Sequence, residues 1–305
     1  MGEPLFMDKA AFGKQLEEET EWIERNIKGF LPKDVTLQKT VYKAMEYSIM
    51  AGGKRLRPMF MWEAYKMSGG NDENVVLPFM AAIEMIHTYS LVHDDLPAMD
   101  NDEYRRGMKT THIVYGEDMG ILAGDALLNY AFETALSCFN GSTDTILKSK
   151  ALKVLANKSG IYGMLGGQVV DVEKTGETLS KEELDFIYSL KTGALIEAAF
   201  MAGAVLAGAD SNIVAAFEKA GHCIGMAFQI QDDILDITST QEELGKPVHS
   251  DERNEKSTYV AVYGMDNALK TVKEYSEQAL GILSNMPVQN SYLNTLARML
   301  INRKK

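Results

Sequence analysis

Apolar side chains recur along this chain at intervals of three and four rather than two, so the pattern predicts helices almost throughout and no strand. Phe79 to Val92 and Ile224 to Ile237 are apolar on most faces and read as central helices, because a helix without a polar face must be covered on all sides. Ala198 to Ala209, rich in Ala and Gly, reads as a third buried helix lying close against a neighbour. It is about half the length a bilayer span needs, so no membrane insertion is expected. Ser180 with Glu183 makes a capping box that opens a helix through Leu184, Ile187, Tyr188 and Lys191. The breaks, such as Gly69 to Asn74 and Asn140 to Asp144, are short and polar, and no internal repeat or low-complexity tract interrupts the pattern. The expectation is one all-α domain spanning residues 1 to 305.

Composition narrows the function classes. A chain of 305 residues, 46% hydrophobic, can bury a large core. A formal net charge of −12 argues against a nucleic-acid or anionic-membrane binder, so any anionic substrate must be met by local Lys and Arg clusters. The first residues are charged (Asp8, Lys9, Lys14, Glu17 to Glu19) and lack the apolar run of a signal peptide. Cys138 and Cys223 form neither a disulfide framework nor a metal spacing, which fits a reducing, cytoplasmic setting.

The chemistry concentrates in two Asp-Asp pairs. Asp94 and Asp95 continue to Asp100, and Asp232 and Asp233 continue to Asp236. Each cluster closes one of the two central apolar helices. A single acidic cluster in an acidic protein is more often a solvated helix end. Two clusters that both close buried helices instead favour neutralisation by cations, since adjacent carboxylates on apolar segments repel and desolvate badly. Mg²⁺ takes only oxygen ligands, usually one or two carboxylates plus substrate phosphates. Asp232 and Asp236 are four apart and share a helix face, with Gln229 on its adjoining part. Asp94 and Asp100 are six apart, about 120° out of line on a straight helix. Pro97 resolves this by ending the helix near Asp95 and turning the chain back. His87, seven before Asp94, faces the same way. The run Asp100-Asn101-Asp102 is not a calcium loop, because it lacks the glycine and the terminal glutamate.

Cations are placed to answer an anion. In Gly52-Gly53-Lys54-Arg55-Leu56-Arg57-Pro58 one helix ends on glycine and the next opens with proline, so Lys54 and Arg57 flank a helix N-terminus suited to phosphate. Arg55 reads as an ordinary turn residue. Arg105 and Arg106 follow the first Asp cluster and offer bidentate forks. Lys191-Thr192-Gly193 interrupts a long helix, where Gly193 permits a kink that turns the lysine inward. Lys246 and Lys256 lie in the polar stretch after the second cluster.

Taken together, the Gly52 to Pro58 run, the first Asp motif with Arg105-Arg106-Gly107, Lys191-Thr192-Gly193, Phe228-Gln229 and Gln231-Asp232-Asp233-Ile-Leu-Asp236 resemble the signature set of trans-isoprenyl diphosphate synthases, in family order. The four residues between the first pair and Asp100 are similar to the bacterial farnesyl and plant-type geranylgeranyl branches. The resemblance implies a helical bundle around one deep central cavity, a homodimer, and Mg²⁺-dependent condensation of an allylic diphosphate with isopentenyl diphosphate. By that resemblance Asp94, Asp95, Asp100, Asp232, Asp233 and Asp236 belong to the Mg²⁺ motifs, with Asp94, Asp100 and Asp232 bridging to the allylic diphosphate. Arg105, Lys191, Thr192, Gln229, Lys246 and Lys256 would hold that diphosphate, and Lys54, Arg57, His87 and Arg106 the isopentenyl diphosphate. No side chain reads as a dedicated general base; the resemblance assigns the final proton to the departing diphosphate.

In such enzymes the residues before the first Asp motif floor the hydrocarbon tunnel. Tyr89, five before Asp94, with Ser90 beside it, suits a short product, and farnesyl diphosphate is expected, with geranylgeranyl diphosphate as the alternative. A class I terpene cyclase would need one diphosphate site only, and a non-catalytic subunit usually loses motif residues; the separate basic turn and the complete motifs speak against both.

Overall fold

A computed structural model describes residues 5–33, 35–139, 144–238 and 257–301. The fold is all-α, as the apolar spacing predicts. Helix α1 (Lys9–Phe30) opens on Asp8, whose side chain accepts from the Ala10 and Ala11 amides. There follow α2 (Lys39–Ile49), α3 (Leu56–Met67), α4 (Glu73–Asp94), α5 (Thr111–Tyr115), α6 (Glu117–Leu136), α7 (Thr145–Ser159) and α8 (Met164–Glu173). Helix α9 (Lys181–Ile187) opens on the expected Ser180–Glu183 capping box, and runs through a π-helical turn (Tyr188–Gly193) into α10 (Ala194–Leu206). The chain continues with α11 (Ser211–Thr238), α12 (Tyr259–Tyr263), α13 (Met265–Ser284) and α14 (Ser291–Ile301).

One short hairpin departs from the strand-free expectation. Tyr104–Arg105 (β1) pairs antiparallel with Met108–Lys109 (β2), in the register Tyr104 to Lys109 and Arg105 to Met108. Its two turn residues, Arg106 and Gly107, both have positive φ (54° and 78°), the geometry a two-residue hairpin loop requires. Strands of two residues carry no alternation to detect. The turn chemistry makes them.

Helices α4 and α10 form the centre. Helix α4 packs chiefly on α6, and α10 on α3, α7 and α11. Phe60 of α3, Phe200 of α10 and Phe217 of α11 are fully buried and stack in a column, with centroids 4.7 Å and 5.6 Å apart. A side chain at Gly203 would meet the Met61 carbonyl at 2.2 Å, so α10 lies directly on the α3 backbone, as its Ala and Gly content suggests. Both Glu73–Asp94 and the continuous helix Lys181–Leu206 are long and apolar enough to cross a membrane by length and composition. That exceeds the single short stretch read from the sequence, yet most of each is buried inside the bundle.

Two expectations are corrected. Gly193 has an ordinary helical φ of −67°, so its role is not to permit a kink. A Cβ on Gly225 of α11 would lie 2.6 Å from the Gly193 Cα, and that closeness is what excludes a side chain at Gly225. Arg55 is also more than a turn residue. It is 2% exposed, and it donates to Glu84 at 2.8 Å, to the Ile49 carbonyl at 2.7 Å and to Glu24 at 3.2 Å, fastening α1, α2 and α4 together.

A buried carboxyl pair joins α1 to α3. Glu19 faces Glu63, with Lys66 at 3.7 Å and 2.7 Å from the two, and the Asn290 amide donating to Glu63 at 2.6 Å. Burial, and then the Glu63 charge, push the Glu19 carboxyl up from 4.5 to about 7. A folded-state pKa above the unfolded one means that this group's contribution is fully present below about 4.5 and is lost as pH rises through about 7. The loss should approach roughly 3 kcal/mol. Glu19→Gln, neutral at every pH, should flatten the fall in thermal stability over that window and leave the variant more stable than the parent at about pH 8. Parallel curves for the two proteins would show that Glu19 is not held protonated.

Candidate active site

Thr192 sits where three cavities meet. The first, about 640 Å³, runs along the turn before α3 and is lined by Lys54, Arg57, His87 and Arg106, with Glu84, Gln229 and Asp232 also at its surface. The second, about 220 Å³, gathers Asp94, Asp100, Asp171 and Asp233 with Arg105 and Lys191. The third, about 460 Å³, is apolar, lined by Tyr89, Leu96, Met99, Ile121, Met164 and Leu165 below a rim of Asp94, Gln168 and Lys191. Ser90 lines this apolar cavity too, its hydroxyl donating to the His87 carbonyl at 2.9 Å.

The first cavity has a cationic wall. Gly52 and Gly53 have φ values of 87° and 136°, and a Cβ on Gly53 would meet the Arg106 guanidinium at 2.6 Å. These glycines let the loop fold against Arg106, which donates to the Gly52 carbonyl. Burial pulls the Arg57 guanidinium down to about 10 against the attraction of Glu84, and its buried Nε has no hydrogen-bond partner. Burial first, and then Arg57, Arg106, Arg105 and Arg55, hold His87 well below its ordinary value. His87 is therefore neutral near pH 7, a hydrogen-bond donor rather than a cation. A buried guanidinium donor left open calls for an anion.

The carboxylate wall forms where the first Asp motif turns back. Helix α4 ends at Asp94, Pro97 follows, and the Asp100 amide donates to the Asp94 carbonyl at 2.9 Å, as the proline predicts. Asp94 accepts from the Gln168 side-chain amide at 2.8 Å, while the buried Gln168 Oε1 has no partner. Asp95 points elsewhere. It is 4% exposed and gripped by Arg105 through contacts of 2.6 to 3.0 Å, with burial raising its pKa against the guanidinium. In the second motif Asp232 lines the basic cavity, whereas Asp233 is held by the Tyr188 hydroxyl and the Tyr259 amide, the latter at 2.6 Å. Asp236 is buried. Lys246 and Lys256 lie outside the described residues.

The π-helical turn supplies the junction. Lys191 pairs with Asp171 at 2.6 Å, and the Thr192 hydroxyl donates to Gln229 Oε1 at 2.8 Å. A Cβ on Gly167 would meet the Lys191 amide at 2.4 Å, so α8 lies against this turn. Gln168 and Asp171 are site residues that the sequence reading missed. Their signal was available: two polar residues three apart on a helix otherwise apolar up to its terminal Glu173, directly after Gly166-Gly167.

A divalent cation fits this wall on its donor chemistry. Asp94, Asp100 and Asp232 are hard oxygen donors at the cavity surfaces, and the Gln168 oxygen is unsatisfied. Among the described residues no group of three His, Cys, Asp or Glu converges closely enough to hold a metal. A cation here therefore needs further oxygens, and those of a bound diphosphate would supply them.

Comparison with known proteins agrees with this arrangement. The polyprenyl synthetase family model matches residues 38–292. A geranylgeranyl diphosphate synthase of Cyanophora paradoxa is 44% identical over 265 residues, 86% of this chain and 87% of that protein. A farnesyl diphosphate synthase of Geobacillus stearothermophilus is 42% identical over 261 residues, 86% of this chain and 88% of that protein. The solved structure of an FPP/GFPP synthase from Zymomonas mobilis superposes with a TM-score of 0.84 at 31% identity, covering 96% of this chain and 99% of that one. The chain belongs to the polyprenyl synthetase family and is a short-chain trans-prenyl diphosphate synthase.

Proposed function

We propose that the protein joins isopentenyl diphosphate head-to-tail to dimethylallyl and then geranyl diphosphate, with farnesyl diphosphate as the main product. The observation that carries this reading is the meeting of a cationic, a carboxylate and an apolar cavity at Thr192. Lys54, Arg57, His87 and Arg106 hold the isopentenyl diphosphate. Asp94, Asp100 and Asp232, with Gln168, would hold Mg²⁺ beside the allylic diphosphate, which Arg105 and Lys191 would also contact, and the apolar cavity takes the hydrocarbon. When bound, Mg²⁺ offsets the charge that develops on the leaving diphosphate. Lys191 stabilises the same oxygens as the allylic C–O bond breaks. Thr192 and Gln229, locked to one another, turn oxygen lone pairs toward the allylic cation. The isopentenyl double bond attacks the cation to form the new C–C bond, and the proton then lost goes to the departing diphosphate. His87, neutral and on the far wall, donates a hydrogen bond and does not take that proton.

Tyr89 supports the shorter product. It is 7% exposed, lines the apolar cavity, and lies about 7.5 Å along the helix from Asp94. Geranylgeranyl diphosphate is the second reading, favoured by the 37–43% exposure of Met99, Leu165 and Ile121, which leaves the cavity partly open at its far wall. Exposed Ile113, Val114, Ile121 and Leu122 on α5 and α6 support a homodimer, and two free cysteines support a cytoplasmic setting.

Purified protein given Mg²⁺, dimethylallyl and isopentenyl diphosphates should yield a linear prenyl diphosphate of fifteen carbons by mass spectrometry. A cyclised hydrocarbon would point to a cyclase, and no turnover to a non-catalytic subunit. Tyr89→Ala should lengthen the main product by at least one five-carbon unit; an unchanged profile with activity intact would remove Tyr89 from the floor. Replacing Mg²⁺ with EDTA or calcium should abolish turnover, and full activity in a metal-free preparation would refute the metal's role.

A further inference from the structure

We propose that His93, seated in a notch over Gly124, is a second residue that sets product length, and that the bare Gly124 is what lets its ring lie back from the hydrocarbon cavity. The inference rests on the prenyl diphosphate synthase reading above and adds a determinant to it.

His93 lies one helical turn after Tyr89 on α4, and the two rings meet edge to face at 5.9 Å. Both line the apolar cavity, as does Ile121 of α6. The His93 Nε2 is 3.0 Å from the Ile121 carbonyl oxygen, which can only accept, so Nε2 carries the proton and donates. The Asp125 carboxylate stands 3.9 Å from the same nitrogen. Helix α6 is therefore the shelf on which the imidazole rests.

That shelf has no room for a side chain. A Cβ on Gly124 would lie 2.0 Å from Nε2, 2.2 Å from Cδ2 and 2.8 Å from Cε1, three ring atoms well inside any permitted contact. The atoms in conflict belong to a side chain, whereas the α6 backbone beneath is fixed by helical hydrogen bonds. A methyl group at this position moves the imidazole. The α6 backbone blocks one side and the Tyr89 ring one edge, while the open space next to His93 is the apolar cavity it already lines. Displacement thus narrows the space for hydrocarbon, and removal of the ring widens it beside Tyr89.

The test uses the purified full chain, with product lengths read by mass alongside total isopentenyl diphosphate consumed. Gly124→Ala should shift the product toward one five-carbon unit shorter, with the ratio of longer to shorter product falling about tenfold. His93→Ala should raise that ratio, and Gly124→Ala combined with His93→Ala should match His93→Ala alone, because the methyl then has nothing to displace. Unchanged ratios in variants that still turn over would overturn the inference while leaving the reaction intact. If Gly124→Ala does not fold, as judged by circular dichroism, an unchanged ratio in His93→Ala would overturn it and a raised ratio would support it. Absence of any prenyl diphosphate from the parent enzyme would sink the functional reading, and this inference with it.

Discussion

The site depends on a backbone contact between α10 and α11. Gly193 and Gly225 approach so closely that a Cβ on Gly225 would stand 2.6 Å from the Gly193 Cα, and Gly221, a turn earlier, makes the same kind of approach to Glu197. This contact sets the position of Thr192, immediately before Gly193, beside Gln229, one turn after Gly225, where the two hydrogen-bond at 2.8 Å. Beneath it, buried Glu197 takes Lys158 and His222, tying α7, α10 and α11 together below the π-helical turn. The π turn projects Lys191 and Thr192 to the point where the three cavities meet. Without it the cationic and carboxylate walls would face each other without the Thr192 hydroxyl at their junction.

Around that junction the charges are kept apart. Arg105 is committed to Asp95 and Lys191 to Asp171, so among the described residues these two cations on the carboxylate side have partners before any ligand arrives. On the opposite wall burial lowers both Arg57 and Arg106 against the attraction of Glu84, with Arg106 lowering Arg57 further and Arg55 and Arg105 lowering Arg106. One wall therefore attracts an anion directly. Under the proposed function the other would take one through an intervening cation, and that difference would let one cavity system sort two diphosphates.

Much of this was legible in the sequence because it rests on local chemistry. Pro97 had to turn the chain after Asp94, and it does. The Gly52 to Pro58 run had to present Lys54 and Arg57 near a helix start, and both line the basic cavity. What the sequence did not carry was long-range pairing. Nothing local shows that Asp95 and Asp233 are spent on Arg105, Tyr188 and Tyr259, whereas Asp94 meets Gln168 and Asp232 lines the basic cavity. Arg55 could not be told from a turn residue without Glu84, twenty-nine positions away. Gly193 was assigned a kink because its partner, Gly225, lies on another helix. Gln168 and Asp171 went unnoticed because their meaning comes from Asp94 and Lys191.

The central claim is that the carboxylate wall engages an allylic diphosphate only through a divalent cation. Calorimetric titration of a non-hydrolysable allylic diphosphate analogue, with Mg²⁺ and then with EDTA, tests it without relying on turnover. The account predicts tight binding with Mg²⁺ that weakens at least about tenfold on chelation, and that Asp94→Ala also weakens. Equal affinity with and without the metal would contradict it.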